Sequence, residues 1–174
     1  AKKSRVAFIK EEVINIDFEL KKIFFKNRPS IGYSKLVLNY GSQTKISREF
    51  EDLVNNQIAF PIKPFLKAYE LIKSEDKNDC ETEQSFVIVG SGLAAIEIAF
   101  ALRKRWKKRS LKILCKLNKV NDKILKNFYR SNIEVVGKLP FDYGKILLCT
   151  GNSSPSWVQK YNSELDSKGR FFTN

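Results

Sequence analysis

The stretch of sequence that decides the fold runs from residue 85 to residue 102 and consists of Ser85-Phe86-Val87-Ile88-Val89-Gly90-Ser91-Gly92-Leu93-Ala94-Ala95-Ile96-Glu97-Ile98-Ala99-Phe100-Ala101-Leu102. A strand-like apolar run, a turn with two glycines and an alanine-rich segment with an apolar face follow one another directly. This order predicts a buried strand, a tight turn and a helix, which together open a βαβ unit. We therefore predict an α/β fold with a Rossmann-like parallel sheet.

The glycine turn has the spacing of a dinucleotide fingerprint, Gly90-x-Gly92-x-x-Ala95. In that fingerprint the first glycine makes the tight turn, and the second lets backbone N–H groups approach a pyrophosphate. The third small residue lets the helix pack on the strand, and the helix N-terminus favours negative charge. The pattern favours nucleotide binding over the alternative of a tight strand–helix turn without a ligand.

The remaining elements are predicted from shorter patterns. After the turn we predict strands at residues 111–115, 133–136 and 145–149, with a helix at residues 122–130 between the first two. Before it we predict strands at residues 6–9, 13–16, 22–25 and 35–40. Residues 43–60 are expected to be irregular, with a helical turn near residues 49–54. The segment Pro61-Ile62-Lys63-Pro64 precedes a predicted helix at residues 65–74, and residues 75–84 form a polar, acidic linker. A short helix is predicted near residues 157–161.

The end of the second strand of the βαβ unit lacks an expected acid. An Asp or Glu about 20 residues past the glycines usually binds the adenosine ribose, but here the chain continues Cys115-Lys116-Leu117-Asn118-Lys119. Lys116 and Lys119 would suit a 2′-phosphate and so favour NADP. The alternative is that the site has degenerated, and both explanations stay open.

Composition excludes several classes of function. The chain has 174 residues, a formal net charge of +13, no His and no Met. Without His there is no Ser-His-Asp or Cys-His chemistry and no His-ligated metal, and we predict no metal site. The three cysteines, Cys80, Cys115 and Cys149, are far apart and form no redox pair. Because the first residue is Ala, we expect the chain to be a fragment of a longer protein.

Most of the positive charge lies in residues 103–138, which carry 13 Lys or Arg and 2 Asp or Glu. A nucleic-acid patch, an anionic-lipid patch and a solvated lysine-rich face are the three interpretations. Aromatic side chains that could stack on bases are sparse there. We therefore favour the solvated face and expect no nucleic-acid partner.

Several motifs together resemble one family. Residues 86–99, with Glu97 on the helix, resemble the NAD(P)H-binding domain of the FAD-dependent pyridine nucleotide-disulfide oxidoreductase superfamily. In proteins of this superfamily the chain passes between the two cofactor domains at two strand ends. These strand ends are similar to residues 35–42, which end in Gly41-Ser42, and to residues 147–151, which end in Thr150-Gly151. Residues 61–71 and 155–169 are most similar to the NADH dehydrogenase-like branch, which in some bacteria is fused to selenide, water dikinase.

The resemblance implies a domain map. Residues 1–60 would be a β-meander segment of the FAD domain that ends at Gly41-Ser42, and residues 61–84 a helix and linker. Residues 85–151 would form the NAD(P)H-binding domain, and residues 152–174 would return to the FAD domain. The cofactors implied are NAD(P)H and, in the full-length protein, FAD. The cofactor-binding residues implied are Gly90, Ser91, Gly92, Leu93, Ala94, Glu97, Lys116, Thr150, Gly151, Gly41 and Ser42, with no catalytic side chain. Glu97 would lie toward the nicotinamide half, although an acid near a helix N-terminus is also favourable without a ligand.

The implied function is that of a flavoprotein NAD(P)H dehydrogenase, which passes hydride from NAD(P)H to flavin and on to a quinone or another acceptor. The partners would be the nucleotide, the missing FAD-domain segments, and a quinone or a selenide, water dikinase domain. The family's first FAD fingerprint and its Gly-Asp motif lie outside this sequence, and residues 137–144 are shorter than its usual β-meander. We therefore expect the fragment alone to be inactive and not to retain FAD, with a cytoplasmic location or one at the membrane periphery. The alternative function is a noncatalytic basic binding module on a degenerate Rossmann domain.

Overall fold

The computed structural model describes residues 6–78, 83–155, 158, 160, 161, 165, 166 and 171. The chain divides into two compact units, one formed by Ala1–Gly41 with Pro155–Asn174 and the other by Ser42–Ser154. These boundaries differ from the segments 1–60, 61–84, 85–151 and 152–174, because residues 42–84 belong to the same unit as the glycine turn. The assignment of segments to an FAD domain stays a prediction.

The first unit contains an antiparallel sheet of three strands, β1 (Val13–Asp17), β2 (Lys22–Phe25) and β3 (Ile31–Gly32), in that order. The predicted strands at residues 13–16 and 22–25 are thus confirmed. The Tyr161 hydroxyl accepts a hydrogen bond from the Ile16 N–H at 2.8 Å, and its ring packs edge-on against Phe18. Part of the C-terminal segment is therefore anchored on β1.

Two strands predicted for the first unit are wrong. Residues 6–9 and the strand at 35–40 that was expected to lead into Gly41-Ser42 form no strand. Val37, at the centre of the second run, is 90% exposed. A strand needs a neighbour to satisfy its backbone groups and cover one face, and no neighbouring strand pairs with these apolar runs among the described residues.

The second unit is built on a parallel sheet. Its elements in chain order are β4 (Gln43–Thr44), α1 (Arg48–Asn55), β5 (Ala59–Pro61), α2 (Phe65–Glu75), β6 (Ser85–Val89), α3 (Leu93–Arg105), β7 (Leu111–Leu114), α4 (Asp122–Arg130), β8 (Glu134–Val136), β9 (Tyr143–Leu148) and β10 (Asn152–Ser153). The five longer strands pair in the order β5-β9-β6-β7-β8, all parallel, while β4 and β10 form a separate antiparallel pair. The predicted α/β fold with a parallel sheet is confirmed.

The sheet is covered on both faces, and alternate residues of its strands supply two cores. Phe86 and Ile88 pack with buried residues of α2, α3 and α4. Val87 and Val89 point to the other face and pack with Phe50 of α1. Residues 137–142 join β8 to β9 without a strand of their own, so a short loop stands where the resemblance would place a β-meander.

Two further predictions need correction. Residues 43–60 are more regular than expected, because they contain β4, α1 and β5. The linker predicted at residues 75–84 begins with anchored residues rather than free ones: Glu75 is buried and ion-paired with Arg109. A short 3-10 turn follows at Asp76–Asn78. The short helix predicted near residues 157–161 lies partly outside the described residues.

Candidate functional site

Gly90 makes the turn at the carboxyl end of β6, and its own backbone requires a glycine there. Its φ is +147°, a conformation that L side chains rarely adopt. A Cβ at this position would lie well under 3.0 Å from the Cys149 carbonyl oxygen at the end of β9. The Gly90 N–H donates to the Leu114 carbonyl at 2.9 Å. Gly90 therefore packs closely between the ends of β7 and β9.

Gly92 has a different role, because no atom of the described residues occupies the space where its side chain would lie. It is the N-cap of α3, with extended backbone angles of φ −87° and ψ 170°, and a Cβ built on it would meet no atom within 4 Å. No side chain caps the helix. The first-turn N–H groups of Leu93 and Ala94 have no acceptor within the helix. The start of α3 therefore combines backbone donors without helical acceptors, the positive end of the helix dipole and open space at the Gly92 Cβ position, a combination that suits a phosphate.

The first turns of α3 have exposed residues on one side and a buried residue against the sheet, as the dinucleotide fingerprint predicts. Leu93 is 74% exposed, and Ala94 and Glu97 are also exposed. Ala95, at the third fingerprint position, is fully buried against the sheet. The small side chain of Ala95 thus lets α3 lie close to β6, while Leu93, Ala94 and Glu97 remain accessible to a ligand.

The end of β7 is joined to the glycine turn. The backbone N–H of Lys116 donates to the Ser91 hydroxyl oxygen at 3.0 Å. A 3-10 turn at Leu117–Lys119 follows, in which Leu117 is 55% exposed. The side chains of Lys116 and Lys119 are exposed. Two cations and an apolar side chain thus stand where the fingerprint usually places an acid.

Thr150 and Gly151 follow β9 at the same carboxyl edge of the sheet, beside Gly90. The Cys149 N–H donates to the Val89 carbonyl at 2.8 Å, and burial raises the pKa of the Cys149 thiol to about 12. The thiol is therefore protonated at neutral pH and is not a nucleophile. The Thr150 hydroxyl donates to the Lys45 carbonyl, and the Lys45 N–H donates to the Gly151 carbonyl at 3.0 Å.

The residues that directly follow the two segments resembling domain crossings (residues 35–42 and 147–151) pair with each other in the second unit. β4 pairs with β10, Thr44 opposite Asn152. The Ser42 hydroxyl accepts a hydrogen bond from Lys63 Nζ at 2.7 Å, and the Lys63 N–H donates to Thr44 Oγ1 at 2.9 Å. Ser42 is thus held beside β5, whereas Gly41, exposed with a φ of +71°, is the last residue of the first unit's N-terminal part.

The structure thus brings most of the predicted site residues to one edge of one sheet: Gly90, Ser91, Gly92, Leu93, Ala94, Lys116, Thr150 and Gly151. Glu97 lies further along α3, Ser42 lies at the β4–β10 pair, and Gly41 is not part of the group. Sequence analysis missed Lys63 as an anchor of Ser42. The sequence signal for it was weak, since Lys63 follows a strand of only three residues that had not been predicted.

The basic stretch uses several of its cations inside the fold. The Arg103 guanidinium donates to the carbonyls of Trp106, Arg109 and Asn132. Arg105 pairs with Asp76, Arg109 with Glu75, and Lys112 with Glu134 and Asp142. Four of the 13 cations therefore stabilise loops and strands, which weakens the case for a dedicated nucleic-acid surface.

The second unit also has a concave surface away from the glycine turn. An open groove of about 630 Å³ lies along β5 between α1 and α2, and none of its lining residues belongs to the glycine turn. Among described residues no cluster of three His, Cys, Asp or Glu side chains has the spacing of a metal site. Nor does any described helix have the length and apolar character needed to cross a bilayer.

Comparison with known proteins adds a family. Residues 2–136 match the family described as pyridine nucleotide-disulphide oxidoreductase. No curated protein matches the chain. Similar solved structures include a covalent putidaredoxin reductase–putidaredoxin complex, with a TM-score of 0.65 and 13% identity over 91% of this chain and 44% of that one.

Two more solved structures are similar to the chain. NDH2 from Plasmodium falciparum in complex with NADH has a TM-score of 0.62 and 14% identity, covering 93% of this chain and 44% of that one. Ferredoxin reductase of the CYP199A2 system from Rhodopseudomonas palustris has a TM-score of 0.68 and 14% identity, covering 99% and 48%. The chain spans less than half the length of each structure, and identities this low show a shared fold alone.

Proposed function

The chain belongs to the pyridine nucleotide-disulphide oxidoreductase family, and on that premise we propose that its glycine turn binds the nicotinamide nucleotide of an FAD-dependent NAD(P)H oxidoreductase. The observation that carries the proposal is the contrast between two glycines. Gly90 is required by the protein's own packing, whereas Gly92 keeps open a space that holds no atom of the residues the structure describes. A nucleotide pyrophosphate is the ligand that this family and this geometry have in common.

The residues around the glycine turn would have separate roles in binding the nucleotide. The N–H groups at the start of α3, from Leu93 and Ala94, would donate to the pyrophosphate, and Gly92 would let it approach. Glu97, exposed further along α3, would face the nicotinamide half. Thr150 and Gly151 would border the cleft. When bound, the nucleotide would supply a hydride and the flavin of the parent protein would be its acceptor, with a quinone or another compound as the final electron acceptor.

The flavin acceptor and the branch are also part of the proposal. We assign the parent protein to the NADH dehydrogenase-like branch, because residues 61–71 and 155–169 resemble that branch most. The Cys115 thiol is buried and its pKa is raised by burial, so it does not provide a thiolate nucleophile. In this assignment the protein positions two cofactors, and their rings carry the redox chemistry.

The choice between the two nucleotides is proposed to depend on Lys116. Its exposed side chain follows β7, at the strand end where the ribose would bind, and Lys119 lies in the 3-10 turn just beyond. A 2′-phosphate would gain a charge-assisted hydrogen bond there, reduced by solvent screening. We expect NADPH to bind at least as tightly as NADH, with a preference of about tenfold.

Calorimetric titration of both nucleotides, at low and at moderate salt, tests this proposal. Lys116→Glu should abolish the preference for NADPH. The control is Lys104→Glu, which makes the same change of charge in the last turn of α3, at the end of the helix away from the glycine turn. This variant should keep the preference. If neither nucleotide binds the native chain, the proposed function is wrong. If both bind and NADH is clearly preferred, the assignment of Lys116 is wrong and its side chain is only part of a solvated face.

A further inference from the structure

Ser91 lies between the two glycines, yet its hydroxyl group is engaged with another part of the chain. Its oxygen accepts a hydrogen bond from the Lys116 N–H at 3.0 Å, across 25 residues of sequence. A second hydrogen bond runs nearby, from the Gly90 N–H to the Leu114 carbonyl at 2.9 Å. Two hydrogen bonds thus join the glycine turn to the segment where the chain leaves β7.

These two bonds differ in what they hold. The bond from Gly90 ends on the last residue of β7, whose position the sheet already determines through its pairing with β6 and β8. Lys116 is exposed and follows the buried Cys115, whose N–H donates to the Val136 carbonyl at 3.2 Å. The backbone N–H of Lys116 itself donates to the Ser91 side chain, and the 3-10 turn that follows packs no residue into the core. Beyond Cys115, Ser91 therefore provides a side-chain anchor for the point from which the Lys116 side chain starts.

From this contact we propose that Ser91 is a positioning residue that sets the discrimination between NADPH and NADH by holding the backbone of Lys116. The inference rests on the proposed function. A lysine side chain is flexible and makes its strongest contact only when its starting point is fixed relative to the ligand. Because Ser91 belongs to the turn that would hold the pyrophosphate, it links the position of Lys116 to that of the bound nucleotide.

A direct contact between Ser91 and the pyrophosphate would have a different signature. A serine hydroxyl has two acceptor lone pairs and one proton to donate, so the bond from Lys116 leaves its proton available. Loss of a pyrophosphate contact would weaken NADPH and NADH equally, since both carry that group. Loss of the anchor for Lys116 would weaken NADPH selectively, since only NADPH carries the 2′-phosphate.

The test is a double-mutant cycle in which NADPH and NADH are titrated against native protein, Ser91→Ala, Lys116→Ala and the double variant. Ser91→Ala should lower the ratio of NADPH to NADH affinity by about three- to tenfold, the range expected for one hydrogen bond. In the Lys116→Ala background the same change should leave the ratio unaltered. Ser91→Thr retains the hydroxyl and should restore the native ratio, and thermal unfolding should show all variants folded.

The other outcomes overturn the inference in distinguishable ways. An equal loss of affinity for both nucleotides in Ser91→Ala would assign Ser91 to the pyrophosphate. An unchanged ratio, with binding retained, would show that the hydrogen bond to Lys116 does not influence specificity, and the proposed function would survive. If the native protein binds neither nucleotide, the proposed function fails and this inference fails with it.

Discussion

The two ends of the parallel sheet are built in opposite ways. At the amino end, buried charged and aromatic side chains contact one another. At the carboxyl end, the chain turns on glycines, and no described atom occupies the space beside Gly92. Parallel strands place ligands at their carboxyl ends, so the difference separates a region that stabilises the fold from one available for binding.

The amino end is closed by a cluster around Arg109, which is only 4% exposed. Its guanidinium pairs with Glu75 and lies over the Phe86 and Trp106 rings, at 5.4 and 5.1 Å from their centroids. The Trp106 indole N–H donates to Asp76 at 3.0 Å. The cluster ties the end of α2 to the segment between α3 and β7, which is a structural role.

The carboxyl end shows that two neighbouring glycines can be required for different reasons. Gly90 is needed for its positive φ and for its close approach to the Cys149 carbonyl. Gly92 adopts angles that other residues also adopt and meets nothing. If the comparison is right, substitutions at Gly90 and at the Arg109 cluster reduce stability, and substitution at Gly92 reduces binding alone.

The largest effect is expected for Gly90→Ala. A methyl group at this position would overlap the Cys149 carbonyl and would force a side chain into a positive-φ conformation. We expect the free energy of unfolding to fall by about 3–5 kcal/mol, measured by urea denaturation. Gly137→Ala is the matched control, because a Cβ there meets nothing within 4 Å. Equal stability of the two variants would contradict the account of Gly90.

Glu75→Gln tests the closed end of the sheet. The change leaves the buried Arg109 guanidinium without its carboxylate, and loss of one member of a buried pair costs about 3 kcal/mol. The free energy of unfolding should fall by that amount in chemical denaturation, whereas Glu70→Gln on the exposed side of the same helix should change it little. A similarly small loss for Glu75→Gln would mean that the ion pair is dispensable.

A smaller effect is expected at acid pH. Hydrogen bonds from Arg105 and then Trp106 lower the pKa of Asp76 to about 2 in the folded protein. Because the folded pKa lies below the unfolded one, this stabilisation is present above pH 4 and is lost as the pH falls toward 2. The carboxylate is 32% exposed, so solvent screening reduces the contribution to about 1 kcal/mol.

Urea unfolding of native protein and Asp76→Asn at pH 5 and at pH 2.5 would measure this contribution. Native protein should lose about 1 kcal/mol more than the variant between the two pH values. The pKa of Asp142 is also lowered, chiefly by its hydrogen bond from Lys112. Because Asp142 is present in both proteins, its contribution to the pH dependence of the free energy of unfolding cancels in the comparison. Parallel losses would show that Asp76 gains nothing from its partners.

The smallest change in stability is expected for Gly92→Val. The backbone is extended at this N-cap and the added side chain would enter open space, so the free energy of unfolding should change by less than about 1 kcal/mol. Thermal and urea denaturation would measure it. A loss as large as that of Gly90→Ala would show that Gly92 is a structural glycine and would remove the distinction between the two.

The sequence predicted the central part of the fold because its signals are local. β6, the glycine turn and α3 are contiguous, and β7, α4 and β9 each have their own apolar pattern. β5 was not predicted because three residues are too few to show an alternating apolar pattern. This strand is defined by its pairing with β9, which lies far along the chain. The run at residues 35–40 has a strand pattern, but no strand of the described part of the chain pairs with it. Local pattern therefore identified elements, and pairing between distant segments decided the rest.

The candidate site divides in the same way. Gly90 and Gly92 were identified from spacing, but spacing did not show that the two are required for different reasons. The bond between Ser91 and Lys116 spans 25 residues, and the pairing of Arg109 with Glu75 spans 34. Composition suggested that Arg109 belonged to a solvated basic face, whereas the fold buries it.

Nucleotide titration of Gly92→Val tests the central claim most directly, with Gly137→Ala as the control for a glycine replacement outside the turn. The account predicts that native protein and Gly137→Ala bind NADPH with the same affinity. It also predicts that Gly92→Val, although equally stable, binds about tenfold to a hundredfold more weakly, because its side chain would occupy the place of the pyrophosphate. Equal affinity of Gly92→Val and native protein would contradict the assignment of the glycine turn as the nucleotide site.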